Sequence, residues 1–373
     1  MKLMEYLAKP NLILESLLYL CARADGQERQ RLEEHFRQKS PHALAAFQER
    51  YASFEALKQE LDRRVAIAPG TLTRLFSNLE GFPYHMAGVY SPAFLLLAPA
   101  ACRCCGDSAA FWAAQEDCTS DEAAQDILTA LDLTGSDQAE YSSATAQLID
   151  SILSMSLPAE TRLALLELHK NYRLVMQESV QCLYTALAVL EDMGPKLQAL
   201  IDNFIWEIDA IGTEAYTQEI SNFHIDPNVP CSIQPLLMLP VTYLFINTFG
   251  KDGHLVVYCG ILRYALRNME LSAEAARNQI YESIRLLGDR TRFDIFCYLK
   301  DHPAYGQELS SHFGLARNTI HYHMSQLFKA RLVRCTVEGA KTYYSIDKDR
   351  YSKLLELQRQ FFLHDYQTQE PLP

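Results

Sequence analysis

The chain has 373 residues, with 34 Lys and Arg against 46 Asp and Glu, a formal net charge of −12 and 49% hydrophobic residues. That length supports two or three domains, and the ordinary composition excludes a fibrous, low-complexity or disordered chain. Ten Cys without regular spacing argue for reduced thiols over a disulfide framework.

No export signal is legible at the start. The apolar run Leu12–Leu20 is broken by Glu15 and lacks a basic start and a small-residue cleavage site. The first 220 residues read as mostly helical. Ser40-Pro41 is a cap followed by proline, with Leu44, Phe47, Tyr51, Phe54 and Leu61 at helical spacing. Ser91-Pro92 repeats that signal before Phe94–Leu97, and Thr119-Ser120-Asp121-Glu122 is a capping box. A long uninterrupted helix is predicted from Pro158 to about Met193, with Leu165, Leu168, Tyr172, Val175, Leu183, Ala186 and Leu190 as its inner stripe. Gly194-Pro195 is expected to end it.

The texture changes after Phe223. Ile233–Leu239, Val241–Phe249 and His254–Ile261 are short and rich in β-branched and aromatic residues. Gly250-Lys251-Asp252-Gly253 reads as the loop of a β-hairpin. The run Pro235–Phe249 is interrupted by Pro240 and is too short to span a bilayer. A cytoplasmic location away from membranes is therefore expected.

Residues 286–346 carry the most specific pattern. An apolar helix ending near Leu299 is followed by a helix over Gln307–Phe313, Gly314, a second helix from Arg317, and a hairpin. Gly314 stands where the chain must reverse through a left-handed conformation, and Asn318 is placed to cap the next helix. Ile320, Met324 and Leu327 share one buried face, which leaves Arg317, Asn318, His321, Tyr322 and Ser325 for the opposite, exposed face, with Thr319 and Gln326 as further candidate DNA contacts. Such groups can read base edges. His323 is expected to be partly packed. Val333, Cys335, Val337, Tyr343 and Ser345 alternate around a Glu338-Gly339 turn, and Arg331, Arg334 and Lys341 could reach phosphates.

This run resembles the ArsR-type winged-helix repressors of bacteria over about a fifth of the chain. Asp289-Arg290-Thr291-Arg292, Gln307-Glu308-Leu309, Thr319-Ile320 with His323-Met324, Leu332-Val333 and Tyr343-Tyr344 are similar to family positions, in order. The resemblance implies a homodimer that releases operator DNA when a signal is sensed, pairing through outer helices. Ile280, Ile284 and Leu287, with Leu354, Leu355 and Phe362, supply apolar surface for that pairing. The metal-sensing members carry Cys-x-Cys where this chain has Leu309-Ser310-Ser311-His312, and the last helix offers only Glu356 before His364. Metal sensing at the family's sites is not expected.

The expected fold class is mainly α. An N-terminal helical domain, 1–265, carries a small β-hairpin element near 231–262. A winged helix-turn-helix follows at 272–350, then a C-terminal helix and tail at 351–373. From Leu271 to Arg350 twelve Lys or Arg face nine Asp or Glu, a charge of +3, which leaves −15 for the remainder. A mildly basic reader beside an acidic sensor fits a regulator that binds double-stranded DNA and takes an unknown small-molecule or protein effector. Cys102, Cys104, Cys105 and Cys118 could hold a soft metal or respond to oxidants, with Arg103 favouring a thiolate, or be ordinary reduced thiols. Trp112 and Trp206 could line a ligand pocket or belong to the core. No phosphate loop, Gly-x-Ser-x-Gly elbow or His-Glu-x-x-His helix is present, so neither enzyme activity nor a cofactor is expected. The alternative is a protein-interaction adaptor whose winged helix does not read DNA.

Overall fold

Helix starts in the N-terminal region follow local capping chemistry. In the computed structural model, which describes residues 4–7, 9–39, 41–82, 89–131, 133, 143–211, 223–225, 230–244, 255–266, 273–330, 332–338 and 341–363, the fold is mainly α. Strand β1 (Met4–Tyr6) precedes α1 (Leu12–Asp25), α2 (Glu28–Lys39), α3 (Pro41–Arg64), α4 (Pro69–Phe76), α5 (Pro92–Arg103), α6 (Ser108–Glu116) and α7 (Ser120–Ala130). Next come α8 (Ala144–Ser154), α9 (Ala159–Lys170), α10 (Tyr172–Asp192) and α11 (Gly194–Ile211). Ser91 accepts from the Phe94 N–H at the head of α5, and Thr119 and Glu122 form the reciprocal box at the head of α7. Ser40 lies outside the described residues, and α3 begins at Pro41 as expected.

The long helix expected over Pro158–Met193 is two helices. Asn171 leaves the helical region at φ −105°, ψ 18°, and its N–H still bonds the Glu167 carbonyl, so α10 continues the direction of apolar burial with a break. The stripe holds across the break: Leu165, Leu168, Tyr172, Leu183, Ala186 and Leu190 are buried and Val175 is half-buried. Helix α10 ends just ahead of Gly194-Pro195, as expected, and the same pair opens α11, because proline's missing N–H costs nothing in a first turn.

Helices α1 and α5 are buried nearly all round, which places them at the centre of a core running from Ile13 to Leu266. Three further strands follow: β2 (Phe223–Ile225), β3 (Cys231–Leu236) and β4 (Tyr243–Leu244). Strand β5 (Leu255–Gly260) completes a sheet of order β1-β3-β5-β4. Strands β4 and β5 pair antiparallel, Tyr243 opposite Cys259, as the expected hairpin requires; its loop at 250–253 lies outside the described residues. Strand β3 instead pairs parallel with both β1 and β5. Both β3 and β5 are buried along their whole length; that explains the continuous apolar run of β5, whereas β3 carries Ser232 and Gln234 between Cys231, Ile233 and Pro235 and buries these polar side chains too. A Cβ on Gly260 would stand 2.5 Å from the Leu239 carbonyl oxygen, so glycine is what lets that backbone pass.

Asn11, which caps α1, and Glu15 within it tie this sheet to the helices. Asn11 donates to the Ala101 carbonyl (2.8 Å) and the Tyr258 hydroxyl (3.2 Å). Glu15, only 1% exposed, accepts from the Leu237 and Met238 N–H groups at 2.7 and 2.8 Å, just past the end of β3.

The remaining elements are α12 (Arg263–Leu266), α13 (Ala273–Leu287), α14 (Arg290–Leu299), β6 (Ala304–Tyr305), α15 (Gly306–Phe313), α16 (Arg317–Lys329), β7 (Val333–Glu338), β8 (Lys341–Ile346) and α17 (Lys348–Leu363). A second core runs from Ile295 to Leu354. Its sheet has the order β2-β7-β8-β6, so a strand that lies in sequence between β1 and β3 of the first sheet joins the C-terminal hairpin.

Candidate nucleic-acid interface

The C-terminal elements assemble around the α15–α16 pair. Asp289 caps α14 by accepting from the Arg292 N–H (2.9 Å), and the Arg292 side chain closes back on the Leu286 carbonyl (2.7 Å). Leu309 of α15 and Ile320, Met324 and Leu327 of α16 are fully buried together with Ile295, Leu299 and Val333. The apolar face read from the spacing is therefore the packed face.

Between the two helices Gly314 sits at φ 63°, ψ 30°, donating its N–H to Ser310. A Cβ there would meet nothing within 4 Å, so only the backbone conformation penalises a side chain. Gly314→Ala is expected to cost about 1–2 kcal/mol, read as a lower urea midpoint at unchanged slope. An unaltered midpoint would mean that the turn can be remade without a left-handed residue.

The polar side of α16 falls out as follows. Tyr322 is 45% exposed, and Arg317, Thr319, His321, Ser325 and Gln326 are half-buried. Burial lowers the Arg317 pKa from its ordinary value. Helical spacing sets Arg317, His321 and Ser325 in one row, with Tyr322 beside it. Asn318 is not the cap. The helix begins at Arg317 with Ala316 in the cap position and no side-chain bond to the free backbone, which puts Asn318 inside the first turn. His323 is buried as expected, and its Nδ1 finds no hydrogen-bond partner among the described residues. Burial lowers its pKa; the nearby Asp289 carboxylate opposes that shift and Arg292 adds to it.

The hairpin holds its register from Val333 opposite Ile346 to Glu338 opposite Lys341. Glu338 is thus still a strand residue, opposite Lys341, and Gly339 of the expected Glu338-Gly339 turn lies outside the described residues. Arg334 is half-buried and donates to the Ser345 hydroxyl at 3.3 Å, across the hairpin. Lys341 opens β8. Arg331 lies outside the described residues.

Other candidate groups resolve towards ordinary roles. Burial pushes Cys102 up to about 12 and Cys118 up to about 11, and raises Cys104 and Cys105. Arg103 does not make a thiolate there, because its guanidinium forks onto the Asp126 carboxylate. Among the described residues no group of three or more His, Cys, Asp or Glu could hold a metal ion. Trp112 stacks on Tyr184 with centroids 4.1 Å apart, and Trp206 is 71% exposed, so it does not belong to the core. No described helix is long and apolar enough to cross a membrane.

Sequence reasoning missed Glu15, which it read only as an interruption of an apolar run, and the pairing of β2 with β7. A lone carboxylate among nine mostly apolar residues was the available signal for the first. The three residues of β2 carry no alternation long enough to signal the second.

No family model matches the chain, and no curated protein matches it. Among solved structures the chain is similar to reduced HlyU from Vibrio cholerae N16961, at 21% identity over 24% of this chain and 95% of that chain, with a TM-score of 0.21.

Proposed function

We propose that this chain is a sequence-specific DNA-binding transcription regulator, a repressor acting as a homodimer, in which residues 272–350 form a winged helix-turn-helix and 1–265 hold an effector. The observation that carries this reading is the division of α16. Its apolar row is buried in the second core, and the row Arg317, His321 and Ser325 with Tyr322 lies on the other side, beside a Gly314 turn and a two-stranded hairpin. That is the arrangement in which a helix enters a major groove. A gel-shift on the DNA upstream of the chain's own coding region tests it. Retardation that outlasts competitor DNA and weakens steeply with salt is the expected result. No preference for that DNA over random sequence would favour the adaptor reading, to which Arg334's engagement with Ser345 lends support.

For the effector, α1, α2 and α3 line an open cleft of about 210 Å³ that carries the ion pairs Arg23–Asp62, Arg29–Glu55 and Lys58–Glu28, with Tyr19 and Tyr51. A small polar molecule would have to exchange its own contacts for those ion pairs. A signal held there would act by its differential affinity for two conformations.

Dimerisation would use the outer helices. Helices α13 and α17 pack together, with Gln358 donating to Ser283 at 3.3 Å. Ile280 and Leu354 are consumed inside the chain, whereas Tyr281, Ile284, Leu355, Phe362 and Leu363 remain exposed. Those side chains are the surface a second copy would cover. Replacing both Ile284 and Phe362 by Glu is expected to convert a dimer into a monomer in sedimentation at micromolar concentration. A parent that already sediments as a monomer while binding DNA tightly would refute the dimer.

A further inference from the structure

The strand β2 has a role that neither the helix pair nor the N-terminal core explains. In the hairpin sheet β8 has neighbours on both sides, β6 and β7, so β7 would be an edge strand with a row of free N–H and C=O groups. Strand β2 occupies that edge, parallel, with Phe223 opposite Cys335, His224 opposite Thr336 and Ile225 opposite Val337. Its partner lies more than 100 residues further along the chain. Three residues of pairing make a weak contact, because a short strand has little to set against the entropy of ordering it.

The covalent geometry gives this contact a consequence. Ile225 ends β2 and Cys231 begins β3, six residues later. Six residues reach roughly 20 Å at full extension, so the two sheets are leashed through β2. The far end of β3 is the backbone that Glu15 holds. The leash therefore bounds how far β3 can move from the hairpin edge while β2 stays seated there. The pairing also runs to within one residue of Glu338, the last residue of β7. A third strand widens the hairpin by about 4.8 Å, beside a minor groove about 6 Å wide.

We propose that residues 223–225 are a strand strap. They occupy a strand-addition site on the outer edge of β7, transmit the state of the β1-β3-β5-β4 sheet to the hairpin, and lower its affinity for DNA while seated. The last clause rests on the DNA-binding reading; the first two do not.

The test uses the full chain with His224→Pro and, separately, Ile225→Pro. Adjacent strand residues direct their N–H groups to opposite edges, so one of the two substitutions removes a bond to β7. Amide hydrogen exchange of Val333–Val337 is expected to accelerate about tenfold or more in at least one variant, with Ile295 and Ile320 unchanged. Glu15→Gln, which loosens the hold on the end of β3, is expected to accelerate the same β7 amides from the other end of the leash. Unchanged β7 exchange in both proline variants overturns the strap, and unchanged β7 exchange in Glu15→Gln overturns the transmission. On upstream DNA, the proline variant with fast β7 exchange is expected to bind several-fold more tightly than the parent. Equal affinity overturns the inhibitory role. If neither parent nor variants bind DNA, the DNA-binding reading and with it the inhibitory role fall, and the exchange result alone decides the strap.

Discussion

Raising the pH from about 4.5 to about 7 is expected to destabilise this chain by about 3 kcal/mol through one residue, and Glu15→Gln to remove that component. Burial pushes the Glu15 carboxyl up from 4.5 to about 7; the Leu237 and Met238 N–H groups and the Lys58 charge pull against that rise. At about 1.4 kcal/mol per unit, the rise corresponds to roughly 3 kcal/mol of linkage. Between the two pKa values the folded chain holds a proton that the unfolded chain has released. Stability from this group is thus full below pH 4.5, falls as pH rises, and levels off above about 7. Gln has no proton to lose, so it flattens the slope, while its amide faces one backbone N–H with a donor and lowers stability at every pH. Urea midpoints of parent and variant at pH 4.5, 6 and 8 give the difference directly, since all other titrating groups are shared. Parallel curves for the two proteins would show that the buried carboxyl is ionised throughout.

Loss of Arg317 is expected to weaken specific DNA binding by ~1–3 kcal/mol, about 5–150-fold, as for a single base contact. The effect on folding is less simple than an exposed position would give. Arg317 is half-buried, and burial lowers its pKa, so Arg317→Ala also removes packed stem atoms. Tyr322→Ala, at a more open position of α16, separates the two effects. It should reduce affinity for the specific site over random DNA with little change in unfolding midpoint. If both variants retain the parent's preference for upstream DNA, α16 does not read sequence.

What the sequence made legible was local or periodic. Ile320, Met324 and Leu327 repeat at four and three and share one buried face, and Gly314 marks a left-handed reversal by being the residue that tolerates one. Ser91 and the Thr119–Glu122 box are caps whose donors lie within three residues. What stayed hidden was set by distant partners or by single positions. Asn318 has the chemistry of a cap but stands two residues too late, after Ala316. Asn171 breaks a helix pattern that contains no Gly or Pro. In β3, Ser232 and Gln234 alternate with Cys231 and Ile233 as in a strand with one wet face, yet both faces are covered, and its parallel neighbours are chosen by tertiary packing. On α16, residue types pointed to the polar side, but only the packing shows that most of it is half-buried.

The parallel pairing of Met4–Tyr6 with Cys231–Ile233 sets a timetable for making this protein. The first strand leaves the ribosome more than 220 residues before its partner exists. At roughly 5–20 residues per second it waits about 10–45 s. Through that interval Asn11 lacks Tyr258 and Glu15 lacks the two amides it will hold. Helices α1 to α11 must then be kept from closing over the place where the sheet will enter. Any nascent chain that stalls before residue 231 therefore presents an unpaired strand and an unoccupied buried carboxyl, the features a chaperone or protease can recognise.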